Sequence, residues 1–251
     1  MVSRQVDEQI AGRFPVGQRL RVLDVGMGQG TQALRLARAG HAVTGIEREA
    51  RLIAVAREAL AAEPEGIRGR VRIVEGDGRD TGVHFLPGSF DVVLCHGVLM
   101  YVEEPDALLA GLARMLAPGG LLSLLVRNGD ALAMRAGLAG DWAGALASFD
   151  TTAYRNRLGL DVRADRLATL TDALAGIGAP LHAWYGGAEE TDLNVGRRQR
   201  IEKTKRRKKK REEKKEKNRK EEQERERGKR QGREGENEEK RTKQTNRARK
   251  E

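Results

Sequence analysis

VLDVGMGQG, residues 22–30, is an apolar run ending in an acid, followed by glycines at alternate positions and then by a stretch of helical periodicity. Glycine lets a backbone turn sharply and approach a ligand closely at a helix N-terminus. A glycine pattern alone is weak, so its surroundings decide. From Leu20 to Tyr185 short apolar runs alternate with helical periodicity, the pattern of βα units on a parallel sheet. The runs predict strands at 20–25, 42–46, 71–74, 90–95, 121–126 and 181–185. Helices are predicted at 4–12, 31–39, 49–62, 105–116 and 163–176, with Gly40 and the Pro118, Gly119, Gly120 turn as terminators. The expected fold is therefore α/β, a Rossmann-like sheet with helices on both faces. Residues 126–162 interrupt the rhythm with Ala, Gly and Asp around Trp142, Phe149 and Tyr154. Excursions beyond the carboxyl end of a strand gather substrate contacts, so this one reads as an acceptor-side insertion.

The charge is split along the chain. Positions 197–251 hold 27 Lys and Arg against 13 Asp and Glu, so of the net charge of +10 this segment supplies +14 and the remainder −4. Two parts are expected: a folded domain at 1–186 and a low-complexity charged tail at 187–251, too poor in apolar residues to offset its ordering entropy and hence disordered. Such a tail can bind nucleic acid nonspecifically, or it is simply solvated. Lys, Glu, Gly and Arg all have purine-only codons, so it also reads as a purine-rich stretch translated in a shifted frame. Cys95 is the single cysteine, which excludes an intramolecular disulfide and a thiolate cluster. His41, His84, His96 and His182 show no ligand spacing, so no metal is expected. There is no secretory h-region and no apolar run of membrane length, and a soluble cytoplasmic protein with no membrane partner is the expectation.

The ends of the predicted strands carry the polar residues. A dinucleotide loop reads GxGxxG, whereas this one reads GxGxG and follows Asp24, whose charge repels a pyrophosphate. S-adenosylmethionine has no phosphate, and its ammonium and sulfonium are both attracted by an acid. Glu47 ends the second strand about 20 residues on, where a nucleotide site wants a carboxylate for the ribose hydroxyls. Asp77 and Gly78, after the third strand, suit an adenine, with Asp77 accepting from the exocyclic amine; a generic turn is the alternative. His96 follows the fourth strand and faces the same crevice.

These residues resemble the class I S-adenosylmethionine-dependent methyltransferases. VLDVGMGQG (22–30), IER (46–48), EGDGRD (75–80) and LLAGLARMLAPGGLLSLL (108–125) carry the likeness. Within that class, HGVLMYVEEP (96–105) and RNGDALAMRAGLAGDW (127–142) look like the tRNA carboxymethoxyuridine methyltransferases, which esterify a carboxylate on a wobble uridine. The resemblance implies that Gly26, Met27 and Gly28 line the methionine portion of the cofactor. By the same likeness Glu47 holds the ribose with Arg48 beside it, Asp77 and Gly78 flank the adenine, and His96 closes the pocket. Arg4, in the leading helix, stands where the family has a cofactor-contacting arginine. Arg127 and Asn128 are the candidates for acceptor contacts, with capping of the strand as the alternative. A carboxylate acceptor is already a nucleophile, so no catalytic acid or base is expected. The acceptor is either tRNA or a small molecule methylated on oxygen or nitrogen. The family completes its sheet with a last antiparallel strand, and nothing after Gly186 has the character to supply it. That slot predicts marginal folding, weak cofactor binding and a chain that is inactive as a frame-shifted product.

Overall fold

The computed structural model describes residues 2–156 and 158–186; the predicted tail at 187–251 lies outside them. In chain order the elements are α1 (Val2–Arg13), β1 (Arg21–Val25), α2 (Thr31–Arg38), β2 (Ala42–Glu47), α3 (Ala50–Ala61), α4 (Glu65–Arg68), β3 (Val71–Glu75), α5 (Thr81–His84) and β4 (Phe90–His96). They continue with α6 (Pro105–Met115), β5 (Leu116–Leu125), α7 (Leu132–Leu138), α8 (Trp142–Ala147), β6 (Ala153–Arg155), β7 (Asp161–Arg163) and α9 (Leu167–Gly176). The sheet runs β3-β2-β1-β4-β5, and every pairing in it is parallel. All carboxyl ends therefore lie along one edge. The order reverses between β1 and β4, and a doubly wound sheet opens its ligand crevice at that point.

A central strand of this kind is covered on both faces, which is why Val22, Leu23 and Val25 of β1 are all buried. Leu23, Val25, Ile46, Val93 and Cys95 pack beneath Leu108, Leu109, Leu112 and Met115 of α6 and Leu174 of α9. On the opposite face Val22, Val43, Val92, Leu94 and Leu121 meet Ala33, Leu36 and Ala37 of α2 and Val6 of α1. The leading helix is tied along its length. Gln32 Nε2 donates to Ser3 Oγ (3.2 Å), Arg35 pairs with Asp7, and Arg13 Nε donates to the Gly119 carbonyl (2.7 Å). These contacts set its first turn beside the start of α2, at the carboxyl edge of the sheet.

Departures from the expected elements have local causes. The Pro118 to Gly120 turn does not precede β5 but lies inside it: the register passes from Phe90↔Leu116 to Val92↔Leu121, and Gly119 absorbs the irregularity at φ 75°. Residues 181–185, expected as a sixth strand, form no strand. Leu181, Trp184 and Tyr185 are all exposed, so their apolar character faces no core, and Tyr185 instead accepts a hydrogen bond from Gln9 Nε2 on α1 (2.5 Å). Among the described residues no antiparallel strand joins the sheet, and β5 is its edge. The excursion after β5 carries an unexpected feature, the antiparallel hairpin β6–β7. Residues 161–163 were within reach of the expected helix, but the helix starts only at Leu167. No described helix is long and apolar enough to cross a membrane.

Gly45 shows how closely the loop is fitted to the sheet. Met27 is buried, and a Cβ at Gly45 would overlap its sulfur. Gly45→Ala is expected to lower stability by about 1–3 kcal/mol through overpacking. Adding Met27→Ala should recover part of that loss, a coupling well above the ~0.5 kcal/mol expected of independent sites, read by urea denaturation of the two single variants and the double. Strictly additive losses would show that the two side-chain positions do not share one space.

Candidate active site

At the carboxyl end of β1 the chain leaves the sheet through Gly26, Met27, Gly28, Gln29 and Gly30. Gly26, Gly28 and Gly30 have φ of 65°, 58° and 79°, the left-handed region that side chains resist. The peptide N–H groups of Gly26 and Met27 both donate to the Ile46 carbonyl (2.8 and 3.2 Å), which folds the loop back over β2. A Cβ on Gly26 would overlap the Val98 side chain, and one on Gly78 that of Val25, whereas nothing lies within 4 Å of the same position on Gly28. Within the loop Gly28 is therefore open, while Gly26 is packed against Val98 and the same position on Gly30 lies 3.4 Å from Ala56.

Glu47 ends β2 and is buried. Its Oε2 accepts from the Gly28 N–H (3.0 Å), and its Oε1 from the N–H groups of Arg48 (2.9 Å) and Glu49 (3.0 Å). One carboxylate thus joins the end of β2, the glycine loop and the approach to α3. A carboxylate has about four acceptor positions, so Oε2 retains room for a further donor.

Asp24 is 3% exposed. The alternation of β1 turns it to the α1 and α2 face, where the Ala33 N–H donates to it; its Oδ2 has no hydrogen-bond partner. Burial, and secondarily the Glu47 charge, push its carboxyl up from 3.8 to about 7 despite the Ala33 bond. Asp24 is thus a desolvated acid just under the loop.

The third strand end behaves differently. Asp77 accepts from the Arg79 N–H (2.9 Å), Nε (3.1 Å) and Nη2 (2.8 Å) and more loosely from Arg48 Nη1 (3.4 Å). The Arg79 bonds and the two positive charges hold its carboxyl down at about 2. Both oxygens are engaged, so an adenine amine meets Asp77 only where the long Arg48 contact yields. Arg79 also lines a cavity of about 370 Å³ with Tyr101, Val102, Glu103, Glu104, Ala107 and Leu108.

His96, at the end of β4, shares Ser123 Oγ at 2.9 Å through Nε2. Desolvation first, then the Arg35 charge, lower its pKa to about 4, so it is neutral at physiological pH. The neighbouring Cys95 thiol is pushed up to about 12 by burial and by Asp24, which leaves it unreactive. No described group of His, Cys, Asp and Glu could hold a metal ion.

The remaining candidates divide. Arg4 is exposed on the first turn of α1, at the carboxyl edge but apart from the buried residues. Met27 turns its side chain inward, so only its backbone faces the crevice. Arg127 lies with its guanidinium 5.7 Å from the centre of the Tyr154 ring, and the Tyr154 hydroxyl donates to Met100 Sδ (3.6 Å). Asn128 Oδ1 accepts from the Asp130 N–H (3.0 Å), the capping role that was its alternative. Val98 and Ser123 were not foreseen, and Tyr154 was read only as an anchor of the excursion. Val98 lies two residues past a candidate, but Ser123 gave no local signal, since long-range pairing alone brings it in.

The geometry fits a ligand with a cation above a buried acid and a glycine-floored cradle. Residues 23–124 match the model of the methyltransferase domain family. The chain is 36% identical over 139 residues to the tRNA 5-carboxymethoxyuridine methyltransferase of Escherichia coli K12, covering 55% of this chain and 51% of that protein. It is 38% identical over 108 residues to a ubiquinone biosynthesis O-methyltransferase of Xanthomonas euvesicatoria, covering 43% of each. The chain thus spans about half the length or less of these curated relatives. Among solved structures, a SAM-dependent methyltransferase of Methanosarcina mazei superposes with a TM-score of 0.53 at 20% identity, over 67% of this chain and 82% of that one. The cyclase SpnF gives 0.52 at 24% identity, over 70% and 57%. These two likenesses concern the fold alone. With its glycine loop, its strand-end acids and the match over 23–124, this part of the chain is similar to the methyltransferase domains of the class I S-adenosylmethionine-dependent family.

Proposed function

We propose that residues 1–186 bind S-adenosylmethionine across the carboxyl ends of β1, β2 and β3 and direct its methyl group to an acceptor entering beside β5. The observation that carries this reading is Asp24. A buried carboxylate with an unpartnered oxygen is costly to the free protein, and a cationic ligand offsets that cost where a phosphate would add to it. In this reading the open face of Gly28 admits the methionine portion, with Gly26 and the Met27 backbone beside it and Arg4 reaching in from α1. Glu47 takes a ribose hydroxyl on Oε2. Arg48, Asp77 and Gly78 flank the adenine, and neutral His96 bounds the pocket without moving a proton. When bound, the sulfonium supplies an electrophilic methyl group; the protein's task is to hold donor and acceptor in line and to exclude water.

For the acceptor we favour a carboxylate on a modified wobble uridine of tRNA. The relative from Escherichia coli supports it, as does the Arg127 cation at the exit of β5, with Asn128 next to it. Such a carboxylate needs no base. The excursion 126–162 is then the acceptor side, and the charged segment 187–251 adds salt-dependent, nonspecific attraction for RNA. The second reading, small-molecule methylation on oxygen or nitrogen, is supported by the Xanthomonas relative.

Two measurements test the cofactor. A carboxyl whose folded pKa is raised from 3.8 to about 7 keeps its proton more tightly when folded. The free protein therefore loses stability as pH rises from about 4 through 7, a total on the order of 4 kcal/mol. Asp24→Asn should remove that part of the pH dependence and melt higher than wild type at about pH 9, while binding S-adenosylmethionine at least tenfold more weakly. Superimposable stability profiles would refute the assignment of Asp24. Calorimetric titration should show the methyl donor binding more tightly as pH rises through 7, with no heat from a nicotinamide dinucleotide; the reverse preference would end the cofactor reading.

The acceptor is tested with tritiated S-adenosylmethionine and total tRNA. Base-labile label in tRNA is expected, as a methyl ester requires, and Arg127→Ala should lower its kcat/KM at least tenfold with cofactor affinity unchanged. Label confined to small molecules would support the second reading. Cofactor binding without any transfer would leave a binding module only.

A further inference from the structure

The excursion after β5 exposes an apolar stripe that the active-site reading does not use. Met134 and Leu138 lie one turn apart on α7, Trp142 and Leu146 one turn apart on α8, and Phe149 follows α8 by two residues. Residues three and four apart share a helix face, so each helix presents its pair together. The two faces are continuous: the Trp142 ring reaches 4.0 Å from the position a Cβ on Gly137 would take. These five side chains are between 61% (Phe149) and 78% (Leu138) exposed, while Leu132 on the reverse side of α7 and Ala145 at the flank of the pair on α8 are buried. The helices are thus docked by one face and leave a richer apolar face outward.

The area is that of an interface. At 150–250 Å² for a large side chain, the exposed parts amount to roughly 600 Å². That reaches the upper end of what a typical monomer shows as one patch, roughly 300–600 Å². It is most of the roughly 800 Å² that each partner contributes to a stable dimer. The charge around it selects the occupant. Around it Asp130, Asp141 and Asp150 stand against Arg135 and Arg166, the last donating to the Phe149 carbonyl (2.9 Å) and lying 3.7 Å from Asp130, a rim of nearly balanced charge that lacks the cluster of cations an anionic lipid surface takes and offers both signs to a second copy. We infer that the α7–α8 stripe is a two-fold interface at which a second copy of this chain lays down the same stripe. An isologous contact needs only a self-complementary patch, and an apolar helical face of this size provides one.

Sedimentation velocity of the full chain between about 1 and 100 μM, a span bracketing micromolar affinity, tests it in high salt, which screens contacts made through the charged segment. Twice the 27.7 kDa chain mass is expected at the upper concentrations. Trp142→Asp with Leu146→Asp should return the single-chain mass with the melting temperature of wild type. Should that pair fail to fold, Leu138→Lys alone, at the most exposed position, should raise the dimer dissociation constant at least tenfold. A wild type that stays monomeric at 100 μM, a dimer indifferent to these substitutions, or a monomer whose Trp142 fluorescence shifts on neutral vesicles would each overturn the inference, the last by giving the stripe to lipid.

Discussion

Three peptide N–H groups, from Gly28, Arg48 and Glu49, converge on the single carboxylate of Glu47. Most of the site depends on that convergence. Hydrogen bonds to a charged acceptor are roughly twice as strong as neutral ones, and here they join segments that the chain keeps about twenty residues apart. The bond to Gly28 draws the loop after β1 over the end of β2, where the Ile46 carbonyl already receives two N–H groups of that loop. The bonds to Arg48 and Glu49 fix how the chain enters α3. The left-handed glycines make this possible, because a residue with a Cβ at Gly26 would collide with Val98 before the loop could settle.

Against this acid, bonded by three peptide N–H groups, stands Asp24, one strand away and buried with an unpartnered oxygen. Burial first, and the Glu47 charge only after it, make Asp24 keep its proton near neutrality. The difference follows from the donors available. Glu47 sits at a strand end where the chain turns and peptide N–H groups are unpaired; Asp24 lies within a strand whose peptide groups already bond to β2 and β4. A region that leaves one acid satisfied and the other dry has stored a preference for positive charge, and stability is spent on that preference in the free protein.

What the sequence made legible followed periodicity and strand ends. Five parallel strands, the helices on both faces and the acids at 24, 47 and 77 are all local signals: an apolar run, a polar residue closing it, a glycine or proline after it. What it did not report is of another kind. Residues 181–185 have strand-like composition, but a strand needs a neighbour to pair with, and no local signal reports whether one exists. The β6–β7 hairpin is only three residues on each side, too short for an alternation to show. Met27 sits in the motif as if it faced the ligand, yet the missing side chain at Gly45 draws it inward, and that glycine lies eighteen residues away. Asp77 was read for its carboxylate, while Arg79, two residues on, already occupies it. In each case the deciding partner is distant or competes for the same atom.

The same distinction governs the acceptor. A cofactor cradle is made from strand ends of a parallel sheet, so its residues recur at predictable places and the family match falls on them, 23–124. The acceptor contacts proposed above lie in the excursion past residue 125, beyond that match, where geometry is set by packing between short elements. The hairpin reaches across to the segment after β4 through Tyr154 and Met100, and Arg127 lies over the Tyr154 ring. The chemistry offered to an acceptor therefore depends on how the hairpin docks, and a fold shared with a cyclase such as SpnF shows how little the sheet alone constrains it.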